Sequence, residues 1–92
     1  MVEILYFADL KDITGKDKEN INLNNNKLKE LIHILINKYP PIKNLLWDEE
    51  NQILKNIISI AINDSIIHNK DKLTIQLSDD DKVAFLLPVS GG

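Results

Sequence analysis

The order of apolar and polar positions in the first part of the chain predicts two paired strands. Residues 2–8 are apolar or aromatic except for Glu3. The run is too short for a globular helix and rich in strand formers, so it predicts a strand that is buried on much of both faces. Residues 18–23 alternate, with Glu19, Ile21 and Leu23 on one side. This pattern predicts an edge strand that pairs with the first strand as a hairpin. The polar residues 9–17, with the turn signal Thr14-Gly15, are predicted to connect them.

A single long helix is predicted next. Asn24-Asn25-Asn26 are residue types that favour a helix N-cap. The apolar positions that follow fall on one helical stripe, which consists of Leu28, Leu31, Ile32, Leu35 and Tyr39. Pro40-Pro41 is expected to end the helix, because proline has no N–H to donate and disfavours a helical residue before it.

The second half of the chain predicts short strands and turns. Residues 42–56 are irregular, so we interpret them as a loop or short helical turn over the domain, with Trp47 as its packing anchor and an undetermined conformation. Residues 57–62 are almost wholly apolar, which predicts a central strand covered on both faces. The other predictions are a turn at Asn63-Asp64, strands at Ile66-Ile67 and 73–77, a turn at 79–81 and a last strand at 82–87.

These elements favour an α+β fold of the β-grasp type, a mixed sheet with one main helix across one face. An amphipathic helix and a one-sided sheet each need a partner surface. The right-handed crossover rule makes the first and last strands plausible parallel neighbours at the centre. The domain is predicted to span residues 1–88, followed by a flexible tail at 89–92. A ferredoxin-like βαββαβ sandwich is the competitor, but it needs a second helix that residues 42–56 supply poorly.

Size and composition narrow the possible functions. The 92 residues suffice for one domain, and 43% hydrophobic with 27% charged residues is ordinary for a globular protein. A net charge of −3, with lysines interspersed among acidic residues, disfavours nucleic acid as a partner. The absence of cysteine excludes disulfides, zinc-thiolate sites and thiol nucleophiles. Without a long apolar run or a secretion signal, we expect a cytoplasmic location and no membrane partner.

The chain ends in Pro88-Val89-Ser90-Gly91-Gly92 directly after an apolar strand. A glycine-rich terminus is by itself compatible with a frayed end of no consequence. Here the strand delivers the tail off the domain, and residues 89–92 can project about 13 Å at about 3.3 Å per residue. Because glycine has no side chain, such a tail can enter a narrow channel in a partner.

The chemistry available to this tail is activation of its carboxylate. A free α-carboxylate has a pKa near 3.5 and is ionised at neutral pH, so it is a poor electrophile until it is adenylated or otherwise activated. The chain has no phosphate-binding glycine-rich loop and no cysteine. The sequence therefore predicts that ATP is used by a partner enzyme and that this chain binds no cofactor.

The last strand and tail, residues 81–92, resemble the MoaD/ThiS family of ubiquitin-like sulfur carriers, in particular the small subunit of molybdopterin synthase. The acidic turn, the Val-Ala-Phe strand, the proline and the Gly-Gly ending of this segment are all similar to those of that family. Weaker similarities cover residues 2–8, the helix end at 38–40 and residues 60–63. The turn before the last strand usually offers a glycine where Asp80 stands here.

The resemblance implies a function and its partners. An E1-like adenylyltransferase would adenylate Gly92, sulfur would replace the adenylate as a thiocarboxylate, and the tail would enter a MoaE-like large subunit, in a heterotetramer, to donate sulfur to the pterin precursor. Gly91 would permit that insertion. The residues expected to contact partners are Phe85, Leu87, Pro88, Val89 and Ser90, although residues such as Phe85 and Leu87 belong more often to a core than to a docking surface.

Alternatives to this function remain open at the sequence level. One is a sulfur carrier for tRNA thiolation or thiazole synthesis, or a protein modifier, all of which use the same tail chemistry. Another is a β-grasp interaction module with an inert tail. No metal site is predicted, because His33, His68 and the aspartates at 79–81 lack further ligands at suitable spacing.

Overall fold

The computed structural model describes residues 1–67 and 75–87. Within these ranges the chain forms β1 (Val2–Leu5), α1 (Asp9–Thr14), β2 (Lys18–Ile21), α2 (Leu28–Lys38), α3 (Pro41–Leu46), β3 (Trp47–Asp48), β4 (Ile53–Leu54), β5 (Ser59–Ile62), β6 (Ser65–Ile67) and β7 (Lys82–Leu86). The β-grasp prediction is confirmed: a mixed sheet carries one long helix across one face.

The five-stranded sheet has the order β2-β1-β7-β5-β6, so the last strand lies at its centre. Strands β1 and β7 are parallel, with Ile4 opposite Val83, and the other pairs are antiparallel. The predicted parallel pairing of the first and last strands is therefore confirmed. The edge position predicted for β2 is also confirmed.

The core lies between the sheet and α2. Four of the five residues of the predicted helical stripe are buried, and the fifth, Tyr39, caps the helix and packs against the core. Alternate residues of the strands supply the other side of this core: Val2, Ile4, Ile21, Ile60, Val83 and Phe85. Burial of apolar surface on this scale is the main stabilising contribution to such a domain.

The start of α2 differs from the prediction. Its N-cap is Lys27, which makes no side-chain cap, rather than one of the asparagines. Instead the carboxylate of Glu30 accepts backbone hydrogen bonds from Asn24 and Asn25 at 2.8 to 3.0 Å. The side chain of Glu30, in the first helical turn, thus reaches back and ties the segment before the helix to its N-terminus.

Residues 9–17 are not simply a turn, which corrects the sequence-based prediction. Asp9–Thr14 form the short helix α1, which buries Leu10 and packs Ile13 against the core. Gly15, with φ 71°, ends this helix in the left-handed conformation that glycine adopts without strain. Only two apolar residues face inward here, so the pattern was too short to predict a helix.

The irregular segment after α2 has a defined structure. Pro41 lies in the first turn of α3, where its missing N–H costs nothing, and β3 and β4 form a separate two-stranded sheet. Trp47 is buried, as predicted, and its ring centroid lies 5.3 Å from that of the exposed His33. Helix α3 and this hairpin therefore close one side of the core.

Strand β5 begins at Ser59, and it is not covered on both faces as predicted. Ile58 and Ile60 are buried, but Ser59 and Ala61 are only partly buried on the opposite face. The turn at Asn63-Asp64 is confirmed, with φ 51° and 71°, the positive values that a tight hairpin turn requires. Of the predicted strand at 73–77, residues 75–77 are described and contribute a single bridge between Gln76 and Lys27.

Candidate functional site

The central strand β7 leads directly to the C-terminus. It is hydrogen-bonded on both sides, to β1 and to β5, and the described chain ends at Leu87. The predicted tail residues Pro88, Val89, Ser90, Gly91 and Gly92 lie outside the described residues, so their predicted roles stay predictions. The structure does define the surface from which they start.

One face of the five-stranded sheet is not covered by α2, and its centre is apolar. We call this the open face. Pairing places Leu5 opposite Ala84, Ala84 opposite Ala61 and Ala61 opposite Ile66, which makes one row across four strands. The middle of this row consists of two small side chains, Ala84 and Ala61, and the exposed Ile66 lies at its edge. Within this row Ala84 is buried, Leu5 and Ala61 are partly buried, and Ile66 is exposed.

Two of the exposed large apolar side chains, Phe7 and Ile57, lie near the end of β7. Strands β1 and β7 are parallel with Leu5 opposite Ala84, so Phe7, two residues after β1, and Leu86, the last residue of β7, both lie toward the same end of the sheet. Ser59 is opposite Leu86 on the other side, and Ile57 precedes it at the same end of the sheet. Phe7 is 51% exposed and Ile57 is 61% exposed. Phe7, Ile57 and Leu86 together form what we call the tail-exit patch.

Two of the docking residues predicted from the sequence lie on the other face. Phe85 is 1% exposed and belongs to the core, and Leu87 is partly buried and packs against the core. Alternate side chains of a strand point to opposite faces, so Val83, Phe85 and Leu87 face the helix while Ala84 and Leu86 face outward. The docking interpretation of Phe85 is therefore corrected: its side chain offers no surface to a partner.

The residues that the sequence analysis missed carry a recognisable signal. Phe7 continues the alternation of Glu3 and Leu5, which is the solvent side of β1 once Ile4 is placed in the core. In β7 the same reasoning applies: Val83 lies opposite the buried Ile4, so Val83 and Phe85 face the core and Ala84 and Leu86 face the other side. An apolar run alone does not show which alternate side chains of β1 and β7 face the core, since both strands carry apolar residues on both faces.

The backbone is strained at Ala8, directly after Phe7. Ala8 adopts φ 50° and ψ −125°, a conformation that residues with a side chain rarely adopt. Such residues cost about 1 to 3 kcal/mol and persist only where surrounding contacts determine them. Here the carbonyl of Phe7 accepts a hydrogen bond from Leu10 N–H at 3.1 Å, and that of Ala8 accepts one from Asp12 N–H at 3.2 Å.

Tyr6, the residue before Phe7, belongs to a cluster of polar side chains around the carboxylate of Glu19. Tyr6 is buried and donates its hydroxyl to Glu19 at 2.8 Å, Tyr39 donates to the same oxygen at 2.9 Å, and Lys16 and Lys38 pair with the other oxygen. Partial burial acts to raise the pKa of Glu19, but the hydrogen bonds together outweigh it and lower that pKa to about 2. Burial, followed by the bond to Glu19, raises the pKa of Tyr6.

Other features of the described residues offer no catalytic arrangement. A polar cleft of about 220 Å³, lined by Met1, Glu3, Asn20, Asp80 and Lys82, lies at the start of β7, the end opposite the tail-exit patch. Among residues 1–67 and 75–87, no group of three or more His, Cys, Asp or Glu could hold a metal. His68 lies outside the described residues. No helix in those same ranges is long and apolar enough to cross a membrane.

Comparison with known proteins gives a family-level match over nearly the whole chain. The model of the ThiS family matches residues 4–92, which includes both terminal glycines. The small archaeal modifier protein 1 of Methanosarcina acetivorans is similar in structure, with a TM-score of 0.79 and 32% identity, over 99% of this chain and 95% of that one.

Two further solved structures are similar. One is a complex of subunits 1 and 2 of the molybdopterin-converting factor of Helicobacter pylori 26695, with a TM-score of 0.64 and 32% identity over 99% of this chain and 97% of that one. The other is the BexX/CysO complex of Amycolatopsis orientalis, with a TM-score of 0.79 and 24% identity over 100% of both chains. At that lower identity, the second similarity concerns the fold alone.

Proposed function

Since the chain belongs to the ThiS family, we propose that it is a sulfur carrier whose working group is the Gly92 carboxylate. One observation carries this proposal: the Gly-Gly terminus follows the central strand β7 closely in the sequence and lies within the family match. A tail that leaves from a strand paired on both sides starts from a rigid base. The chain then presents the carboxylate, while partner enzymes perform the chemistry.

The proposed reaction has two steps. A carboxylate oxygen of Gly92 attacks the α-phosphate of ATP in an E1-like adenylyltransferase, and pyrophosphate leaves. Hydrosulfide then attacks the acyl carbon, AMP leaves, and loss of the S–H proton gives a terminal thiocarboxylate. Activation is required because the ionised carboxylate is a poor electrophile at neutral pH. The chain itself needs no bound cofactor for either step.

We propose that the sulfur acceptor is the pterin precursor of molybdopterin, in the cytoplasm. The similarity at 32% identity to a chain from the complex of molybdopterin-converting factor subunits 1 and 2 supports this acceptor. On this proposal a MoaE-like large subunit receives the tail, in a heterotetramer, and Gly91 allows the tail to pass through a narrow channel. Sulfur then leaves Gly92 as the carboxylate is regenerated by water.

A second candidate function is protein modification. It is favoured by the equally high identity, 32%, to the small archaeal modifier protein 1 of Methanosarcina acetivorans. The same adenylated Gly92 would then react with a lysine amine of a target protein, and AMP would leave as an isopeptide bond formed. Both candidates need the same activation, so they differ only in what receives the acyl group or its sulfur.

The first experiment measures intact mass after incubation with ATP, a sulfide source and the E1-like enzyme of the source organism. Replacement of one oxygen of the carboxylate by sulfur adds about 16 Da. The chain lacking Gly92 should remain folded by circular dichroism and gain no mass. A truncated chain that still accepts sulfur, or a full chain that never does with an active enzyme, would refute the carrier function.

Pathway assignment needs a second measurement. The thiocarboxylated chain is mixed with a MoaE-like subunit and the pterin precursor, and formation of the dithiolene product is followed. Product formation supports the molybdopterin pathway. Gly92 isopeptides on other proteins, found by mass spectrometry without any pterin product, would instead support the modifier.

A further inference from the structure

We infer that the outer edge of β2 binds an extended, acidic segment of a partner protein, which adds to the sheet as a further strand. Strand β2 lies at one end of the sheet order β2-β1-β7-β5-β6, and among the described strands only β1 pairs with it. Two strand spacings, roughly 10 Å, separate this edge from β7. The site is therefore distinct from the open face and from the tail, and it does not depend on the sulfur-carrier proposal.

The register of β1 and β2 shows which backbone groups of β2 point outward. The N–H of Tyr6 donates to the carbonyl of Asp17 at 2.8 Å, so these two residues are a hydrogen-bonded pair in this register. Hydrogen-bonded and non-hydrogen-bonded pairs alternate along an antiparallel ladder. Lys18 and Asn20 therefore direct their N–H and C=O groups away from β1. Both residues are exposed, and within residues 1–67 and 75–87 nothing bonds to these four groups, which can pair with an added strand.

Positive charge is in excess beside the first half of β2, where six charged side chains meet: Lys11, Lys16, Lys18, Lys38, Asp17 and Glu19. Asp17 pairs with Lys11 at 2.8 Å. The carboxylate of Glu19 pairs with both Lys16 and Lys38. Lys18 is exposed and forms no ion pair with any described residue. The whole chain has a net charge of −3, so this edge is a locally positive strip that attracts carboxylates on an added strand.

The same charges disfavour a second copy of this chain as the occupant. If two β2 strands paired in antiparallel fashion about Glu19, the two Glu19 side chains would lie directly opposite each other. Pairing about Lys18 would place the two Lys18 side chains opposite. Like charges in these positions destabilise a pair of strands, and lysines on a short edge strand prevent sheets from joining edge to edge. A strand of opposite charge is the occupant that this edge accepts.

Amide hydrogen exchange of the full chain, followed by NMR, tests the edge and its occupant together. In the free chain the amides of Lys18 and Asn20 should exchange about tenfold or more faster than those of Glu19 and Ile21, which face β1. The probe is a short peptide in which valine and aspartate alternate, and the control peptide has lysine in place of aspartate. The aspartate peptide should slow exchange at Lys18 and Asn20 about tenfold at saturation, and the lysine peptide should not.

Asn20→Pro removes one outward N–H and places a ring at the edge. The ladder to β1 does not use this N–H, so the variant should fold, which circular dichroism checks. Its dissociation constant for the aspartate peptide should rise about tenfold or more, because the added strand loses a hydrogen bond and meets the ring. Asn20→Ala is the matched control: it lacks the same side chain but keeps the N–H, and it should bind like the unsubstituted chain.

The charge contribution is tested with two lysine variants, which also decide the matter if Asn20→Pro does not fold. Lys18→Gln should raise the dissociation constant for the aspartate peptide about threefold, the effect of one exposed charge pair. Lys29→Gln should leave it unchanged. Lys29 is exposed on α2, and nine residues from Lys38 it lies on the opposite side of that helix.

Several outcomes would overturn the inference. They are the absence of binding by the aspartate peptide, equal binding of both peptides, unchanged exchange at Lys18 and Asn20, equal effects of Lys18→Gln and Lys29→Gln, or a folded Asn20→Pro variant that binds as tightly as Asn20→Ala. Protection of the two amides in the free chain that disappears on dilution would show that the edge joins two copies instead. The chain lacking Gly92 should bind the aspartate peptide normally, so failure of the carrier function leaves this result unaffected.

Discussion

At the scale of single residues, Glu19 is the charged group most closely tied to the fold. Its side chain is only 9% exposed and receives hydrogen bonds from two tyrosines and two lysines. These partners come from the residue after β1, from α2 and its C-cap, and from the segment before β2. The alternation of residues 18–23 placed Glu19 on the same side as Ile21, but no local pattern predicts the four partners, which are up to 20 residues away.

Glu19→Gln should lower the free energy of unfolding by about 2 to 3 kcal/mol at pH 7, because one pKa unit corresponds to 1.36 kcal/mol. The pKa of Glu19 is depressed from 4.5 to about 2, so its stabilising contribution is complete above pH 4.5 and is lost as the pH falls through 2. Urea titrations from pH 7 to pH 2 should show the two proteins converging. A constant difference across that range would contradict the assignment.

Asp80 provides a second residue-scale prediction. It has φ 70° in the turn before β7, where related sequences were expected to offer glycine. Asp80→Gly should raise the free energy of unfolding by about 0.5 kcal/mol, and Asp80→Ala should lower it by about 1 kcal/mol, since alanine tolerates this conformation less well than aspartate. Thermal unfolding of both variants checks the order. A less stable glycine variant would mean that the aspartate side chain stabilises the turn.

At the scale of elements, the predictions that failed share a physical cause. Helix α1 and the hairpin β3–β4 are short, and each buries only one or two side chains. Helices of fewer than about 12 residues are marginal in water and depend on tertiary packing, so propensity and periodicity carry little information about them. Helix α2 was predicted correctly because it is longer, 11 residues, and its buried side chains recur along one face from Leu28 to Leu35.

Leu10→Ala tests whether α1 is an integral part of the domain. Leu10 is buried in the core cluster, so its truncation should lower the free energy of unfolding by about 2 to 5 kcal/mol through lost burial and the cavity left behind. Asp12→Ala, on the exposed side of the same helix, should change it by no more than about 0.5 kcal/mol. Chemical denaturation measures both. Equal small effects would mean that α1 is only loosely attached.

At the scale of the whole molecule, topology decides which residues surround the chain terminus. Strands β1 and β7 are separated by most of the sequence but are hydrogen-bonded neighbours, so the segment that follows β1, with Phe7, lies at the same end of the sheet as Leu86. Strand β5 brings Ile57 to the same end. Three segments that are distant in the sequence therefore meet at the end of the sheet where the described chain ends.

The sequence by itself determined the β-grasp class, the long helix, the parallel central strands and the carboxylate as the candidate working group. Each follows from a local signal: an apolar stripe, a crossover rule or a terminal Gly-Gly. Only the tertiary structure decided which side of each central strand faces the core. Strands that are apolar on both faces do not encode their orientation locally, so Phe85 was assigned to the surface and Phe7 was overlooked until packing against α2 distinguished the two faces.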